Sequence, residues 1–435
     1  MTIRLIQRGA ALALLCIFAS AVWAQDFPSA KPEEVGMSSQ RLERLDTAFK
    51  REVDQGRLPG AVMMVLRRGR LVYSASMGVQ EPGKPMTRDA IFRLYSMTKP
   101  WVSVAAIMLM EQGALQLSDP VSKFLPAMKA MQVSVAKIDP ALAKVSYTQV
   151  AAEREMTVQD LLRHTTGLVY GELSVNAPVK EAYTKAGFYS PEGSFDLRAM
   201  TPAEQVERLS KAPLAQQPGT TWEYGLASDV LGRVVEVASG KRLAEFLDER
   251  MFKPLKMTDS GFSVPQDKLS RVAQPFEKDP ATGTPNRLID VSRVPGNDSG
   301  GAGGVGTAAD YMRFCQMLLN GGQLNGVRIL SRTSVALMTS DHLGTKIQSP
   351  LTPGELLFGV QGYTFGLGFA VRQGAGVAQV PGSAGEYMWA GFAGTYFYVD
   401  PKEELIGIYM SQAPGATRQY YRRLFKQLVS QAITD

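Results

Sequence analysis

The chain has 435 residues, a formal net charge of +6, two histidines and two cysteines. Its length exceeds the ~250–300 residues at which single cores usually stop growing, so one two-lobed domain or two domains are expected. The basic residues are scattered without a Lys/Arg-rich run or interleaved aromatics, which argues against a nucleic-acid partner, and no repeats or heptads occur.

The first 24 residues carry Arg4 and Arg8, an apolar run from Ala10 to Val22, and Val22-Trp23-Ala24 as a cleavage site. This is the layout of a secretory signal. The apolar run is short for a membrane span, so an uncleaved anchor is the weaker alternative. Leu15 before Cys16 is too large for a lipoprotein cleavage site. The expectation is an exported protein, periplasmic or secreted, with residues 1–24 removed and 25–435 forming one domain without a stable membrane span. Cys315 would then be the remaining cysteine, so no internal disulfide is available. It lies in an apolar helical pattern from Tyr311 to Leu319, the setting of a buried, inert thiol.

Ala61 to Leu66 and Leu71 to Ala75, around Arg67-Arg68-Gly69-Arg70, read as a β-hairpin. Ser96-Met97-Thr98-Lys99-Pro100 leads into Trp101 to Met110, apolar nearly all round as a buried helix should be. Thr157-x-x-Asp160 resembles a capping box. Phe365 to Val371, Gly394 to Val399 and Leu405 to Ser411 read as three more strands, with Asp400-Pro401-Lys402-Glu403 as the last turn. An amphipathic helix follows, roughly from Arg418 to Ala432. Strands from both ends with helices between predict an α+β fold. Its antiparallel sheet, flanked by helices, would come from about 36–95 and 330–435, with a mostly helical lobe from about 96–329. A cleft between lobes is the natural site.

A Ser-His-Asp triad would need His164 or His342. His164 closes the helix after Thr157, just before Gly167, and is most simply structural. His342 sits in a loop-like stretch with no partner in sequence. Ser96 and Lys99 offer another route. Residues three apart share a helix face, so the Lys99 amine can reach the Ser96 hydroxyl. A serine at a helix N-terminus also has a free N–H and the positive dipole end beside it, both suited to an oxyanion. Pro100 is tolerated only in a first turn, which supports that placement. Burial of Lys99 would favour its neutral, basic form. The Ser-x-x-Lys pattern alone is unspecific, since Ser134-Val135-Ala136-Lys137 repeats it. That copy opens no apolar helix and reads as exposed connector.

The stretch from Asp89 to Pro100 closely resembles the nucleophile segment of the β-lactamase-related serine hydrolases. Within them it looks most like family VIII-type carboxylesterases, related to class C β-lactamases and D,D-peptidases. Four further stretches resemble that family in order: Leu161 to Leu168, Pro218 to Tyr224, Asp229 to Gly232, and Met388 to Gly394. The resemblance runs from about residue 36 to the end. It implies a β-lactamase/transpeptidase-like fold.

It also implies site residues. Tyr224 falls on the tyrosine of the family's Tyr-x-Asn motif, where a tyrosinate or neutral phenol would relay a proton; the bland reading is that it packs on Trp222. Leu226 stands in place of the asparagine, and Ser174-Val175-Asn176 is a rival element without the same lead-in. Trp389-Ala390-Gly391 occupies the place of the β-lactamases' Lys-Thr-Gly. A lysine there would pair with a substrate carboxylate; tryptophan offers an apolar wall, unless it merely packs between lobes. Gly391 would let the strand approach a substrate. Ser96 N–H and Phe392 N–H would form the oxyanion hole.

Gly301-Ala302-Gly303-Gly304-Val305-Gly306 formally matches a dinucleotide fingerprint, but loop rather than strand precedes it, and Thr307 with Asp310 explains the next helix as a simple cap. It reads as a flexible, cleft-lining loop. The sequence thus predicts a serine carboxylesterase acting on small or apolar esters through an acyl-enzyme on Ser96, with no cofactor and no metal. The same nucleophile would serve a β-lactamase, a D,D-peptidase or a non-catalytic penicillin-recognising protein.

Overall fold

A computed structural model describes residues 27–139, 144–188 and 196–435. The signal segment expected at 1–24 lies outside the described residues. Helix α1 (Ser39–Asp54) begins where Ser38 accepts the Arg41 N–H. Strands β1 (Gly60–Arg67) and β2 (Arg70–Glu81) are the predicted hairpin. Short β3 (Lys84–Pro85) and β4 (Phe92–Arg93) lead to helix α2 (Thr98–Glu111).

The second lobe holds β5 (Gln132–Asp139) and β6 (Lys144–Ala151), then helices α3 (Val158–Leu162), α4 (Ala177–Lys185) and α5 (Pro202–Ser210). Helices α6 (Ala227–Ser239) and α7 (Leu243–Leu247) follow. The chain returns to the sheet through β7 (Val305–Gly306), α8 (Ala308–Leu319), β8 (Gln323–Leu324) and β9 (Val327–Arg328), then α9 (Arg332–Met338) and α10 (Pro353–Phe358). It ends with β10 (Tyr363–Phe365), β11 (Ala370–Arg372), β12 (Tyr387–Ala390), β13 (Tyr396–Asp400), β14 (Leu405–Ser411) and helix α11 (Arg418–Ser430).

Eight strands make one sheet in the order β10-β11-β12-β13-β14-β1-β2-β3. Its pairings are antiparallel, and the two ends of the chain meet where Ala61 lies opposite Ser411 and Arg67 opposite Leu405. Alternation along the strands sends neighbours to opposite faces. Tyr396 and its cross-strand partner Tyr409 face α11, where both rings meet Phe425. Phe397, one residue on, faces α8 and meets Tyr311. Helices therefore cover both faces, and β1, β13 and β14 are buried throughout.

The sequence expectations hold for the hairpin, for β14 and for the last helix, and differ elsewhere. The single strand expected over 365–371 is two, β10 and β11, turned back at Gly366 to Phe369, where the Gly366 N–H donates to Phe369 O at 2.8 Å. Ser134 and Lys137 lie on β5 of a two-stranded ribbon within the lobe expected to be helical, not on a connector. A strand sends positions three apart to opposite faces; Ser134 is buried while Lys137 is exposed.

Candidate active site

Ser96 sits in a 3₁₀ turn, Tyr95–Met97, at the mouth of α2. Tyr95 before it takes a left-handed φ of 47°, a strained conformation for a residue with a Cβ. Neighbours hold it there: Thr98 Oγ1 donates to Tyr95 O at 2.6 Å, Tyr95 Oη accepts the Ile289 N–H at 3.0 Å, and Tyr311 Oη donates to Met97 O at 2.9 Å. The serine is half-buried, whereas Lys99, in the first turn of α2, is buried.

Lys99 Nζ lies 3.3 Å from Ser96 Oγ, 3.1 Å from Tyr170 Oη and 2.7 Å from Gly301 O. Burial pushes its pKa down to about 7, with the Asp229 carboxylate pulling the other way. Asp229, buried on α6, accepts from Ser299 Oγ at 2.6 Å and from the Gly301 N–H at 3.0 Å. Burial raises its own pKa.

Tyr224 Oη donates to Ser96 Oγ at 2.6 Å. Burial raises this phenol above its ordinary range, against the pull of the Ser96 hydrogen bond, so it is protonated near neutral pH. The segment after α3 positions it. A capping box between Thr157 and Asp160 starts α3, as expected. His164, past the helix end with φ 56°, accepts the Glu223 N–H on its carbonyl at 3.0 Å. Its buried ring lies 5.1 Å from that of Tyr224. The Tyr170 N–H then donates to Tyr224 O at 3.4 Å.

Behind Tyr224 stands Trp389, wholly buried, 5.4 Å from the Tyr224 ring and 5.3 Å from Phe365. The apolar wall expected of Trp389 is thus a prop for the tyrosine and gives the substrate no surface. Leu226 and Ala390 are buried as well. Gly391 also differs from expectation, because what approaches it is protein. A Cβ there would come within 2.2 Å of Leu94 O and of Thr395 Oγ1. The bare backbone brings the turn after β12 against the Ser96 turn. The Gly391 N–H donates to Thr395 O and the Gly394 N–H to Gly391 O; the Phe392 N–H enters neither bond. Phe392 is 47% exposed, and its ring centroid lies 5.5 Å from that of Tyr95.

The glycine-rich stretch from 301 is packed rather than flexible. A Cβ on Gly301 would lie 2.3 Å from an Asp229 oxygen, and the Gly304 N–H donates to Thr98 Oγ1 at 2.9 Å. This close fit delivers the Gly301 carbonyl to Lys99. Thr307 accepts the Asp310 N–H, as expected of a cap.

Asn176 caps α4 and donates to Ser134 O, a structural role. His342, which has no partner in sequence, meets Gln159 Nε2 at 3.3 Å and Leu337 O at 2.8 Å. Cys315 is buried, and burial raises its pKa. Among the described residues no cluster of three His, Cys, Asp or Glu side chains could hold a metal, and no helix is long and apolar enough to cross a membrane.

Tyr170 and Gly301 escaped the sequence reading as contacts of Lys99. Tyr170 follows the Leu161–Leu168 stretch, but nothing in its spacing announces a lysine contact.

A helix-covered antiparallel sheet with a second lobe, and a serine, lysine and tyrosine clustered where they meet, define a β-lactamase/transpeptidase-like protein. The chain belongs to the β-lactamase family, whose model matches residues 45–430. It is 35% identical over 370 residues to an uncharacterised protein of Mycobacterium tuberculosis, covering 83% of this chain and 88% of that one. It is 33% identical over 379 residues to esterase EstB of Burkholderia gladioli, covering 82% and 86%. Among solved structures, EstCE1, described as a hydrolase with promiscuous acyltransferase activity, superposes with a TM-score of 0.72 at 25% identity. That match covers 91% of this chain and 99% of the other.

Proposed function

We propose that this protein is a serine carboxylesterase that cleaves small carboxylic esters by two-step acyl transfer. The observation that carries the reading is one hydrogen-bonded chain, from Tyr224 Oη to Ser96 Oγ to Lys99 Nζ. A lysine with a pKa of about 7 is substantially neutral at physiological pH. A neutral amine has two N–H groups and one lone pair. Gly301 O and Tyr170 Oη are placed for the two N–H groups, which leaves the lone pair for the Ser96 O–H.

Ser96 Oγ attacks the ester carbonyl as Lys99 takes its proton. Charge develops on the carbonyl oxygen, and the Ser96 and Phe392 N–H groups are the donors proposed for it. Lys99 and Tyr224 return a proton to the departing alcohol. Water, activated by the same groups, then attacks the acyl-enzyme and releases the acid and free Ser96. The exposed ring of Phe392 and the rim of Tyr224 offer apolar contact to the ester. Similarity to EstB and EstCE1 supports esters over lactams or peptides as substrates. Similarity to EstCE1 also favours a second outcome, transfer of the acyl group to an alcohol in place of water. We further propose export, on the strength of Arg4, Arg8 and the apolar run to Val22.

The test is purified protein against p-nitrophenyl butyrate and nitrocefin, beside Ser96→Ala and a fluorophosphonate probe. Ester cleavage and probe labelling that both vanish in Ser96→Ala are expected. Fast nitrocefin turnover with negligible ester cleavage would overturn the esterase assignment. Added methanol yielding methyl butyrate would establish transfer. Intact mass of secreted protein beginning at residue 25 would establish export.

A further inference from the structure

Arg418 and Arg422 lie four apart at the start of α11 and so share one face of it. Arg422 is buried and donates to Leu357 O at 3.0 Å and to Gly391 O at 2.6 Å, clamping the turn after β12. Arg418 has no comparable task. Its guanidinium lies over the Phe392 ring, 4.9 Å from the centroid, on the ring that borders Tyr95 beside Ser96. Among the described residues one hydrogen bond ties it to the fold, from Nη1 to Pro414 O at 2.6 Å, although a guanidinium carries five N–H donors.

No carboxylate of the described residues forms an ion pair with Arg418, and burial lowers its pKa. The helix adds to the imbalance. No acidic residue stands in the first turn of α11, where the dipole is repulsive to a cation. A partly buried cation stacked on an exposed ring, at the wrong end of a helix and with donors to spare, suits an anion that the protein itself does not supply.

We propose that Arg418 is a specificity residue that receives a carboxylate on the substrate, so that the favoured esters are anionic on either the acyl or the alcohol side. A planar guanidinium takes a carboxylate through two parallel hydrogen bonds, and the Phe392 face holds the fork in plane. Trp389 in place of a lysine removes a cation from β12, and Arg418 brings one to the same region from α11. The proposal rests on Ser96 as the nucleophile.

Two matched substrate pairs test it. Acyl-side charge is read from p-nitrophenyl hydrogen glutarate against p-nitrophenyl butyrate. Alcohol-side charge is read from meta-carboxyphenyl butyrate against meta-carbamoylphenyl butyrate. In one pair, the charged-to-neutral ratio of kcat/KM is expected to fall about ten- to hundredfold in Arg418→Gln. Arg418→Lys should keep part of the ratio, and added salt should lower it in the unsubstituted protein. If Arg418→Gln does not fold, the lysine variant and the salt series decide. Ratios indifferent to salt and to both substitutions overturn the proposal while leaving the esterase reading intact. Failure to cleave any of the four esters would instead remove that reading and this one with it.

Discussion

Tyr224 Oη stands 2.6 Å from Ser96 Oγ across 128 positions of chain. The contact depends on two loops and strand β12 laced together, since His164 and Tyr170 bond the backbone on either side of Tyr224 and Trp389 backs its ring. Tyr224→Phe keeps the ring and its packing and removes the proton. It should lower kcat about 10²–10⁴-fold with little loss of thermal stability, as steady-state kinetics and a melting curve together would report. Undiminished kcat would take the phenol out of the reaction.

Lys99 sets the pH profile. Its neutral form is the base, and its pKa is pushed down to about 7 by burial. Log kcat/KM on a neutral ester should therefore rise with unit slope below about pH 7 and level off above it. The sign follows from the base being the deprotonated form. A profile that falls across this window would contradict a lysine base. Lys99→Met should remove the rising limb along with nearly all activity.

Gly391→Ala tests the turn that carries Phe392. The added Cβ meets Leu94 O and Thr395 Oγ1 at 2.2 Å, so the backbone must move. Loss of one oxyanion donor typically costs about 10²–10³ in kcat. That range is the expected deficit, with KM changed far less. Equal kcat in the variant would show that Phe392 N–H is not needed.

The candidate site was legible in the sequence where chemistry follows local spacing. Ser96 and Lys99 meet because one helical turn joins them, and Pro100 with the apolar run after it fixed the helix start. The capping box of Thr157 and Asp160 and the hairpin around Gly69 are local in the same sense. What stayed hidden depends on distant packing. Trp389 looked like a substrate wall because sequence order cannot show that the strand turns its ring behind Tyr224. Gly391 signalled close approach, but not which chain would approach, and the stretch from Gly301 read as a flexible loop where it is packed against Asp229. Gly366 and Gly368 broke a strand that apolar content alone made continuous. Tyr170 became a lysine contact only once the segment after α3 was folded against the first turn of α2.

Asp160 offers a stability test away from the chemistry. Burial alone would raise its carboxyl, but Arg154, the Thr157 backbone and Arg163 outweigh it and hold it at about 2. The folded value lies below the ordinary ~3.9, so its contribution is present above about pH 4 and lost as pH falls towards 2. Asp160→Asn should cost about 2–3 kcal/mol at pH 7, read by urea denaturation, with the gap to the parent closing in acid.

Buried charge beneath α11 gives a contrasting case. Glu386 and Lys426 are both buried and paired, with Tyr363 also donating to Glu386. Removing one partner leaves the other charged and desolvated. Glu386→Leu alone should cost about 3–5 kcal/mol, whereas Glu386→Leu with Lys426→Met should recover much of it, as a double-mutant cycle would show.

The Ser411 hydroxyl donates to the Gly60 carbonyl across 351 positions, at the seam where β14 zips onto β1. During synthesis, β1 leaves the ribosome long before its partner exists, with an apolar edge and no neighbour on that side. Pairing so distant in sequence makes for slow folding and a window in which such an edge can recruit other chains. Cells making this protein must therefore keep a nearly full-length, unfinished chain from self-association, and laboratory refolding should succeed only when dilute.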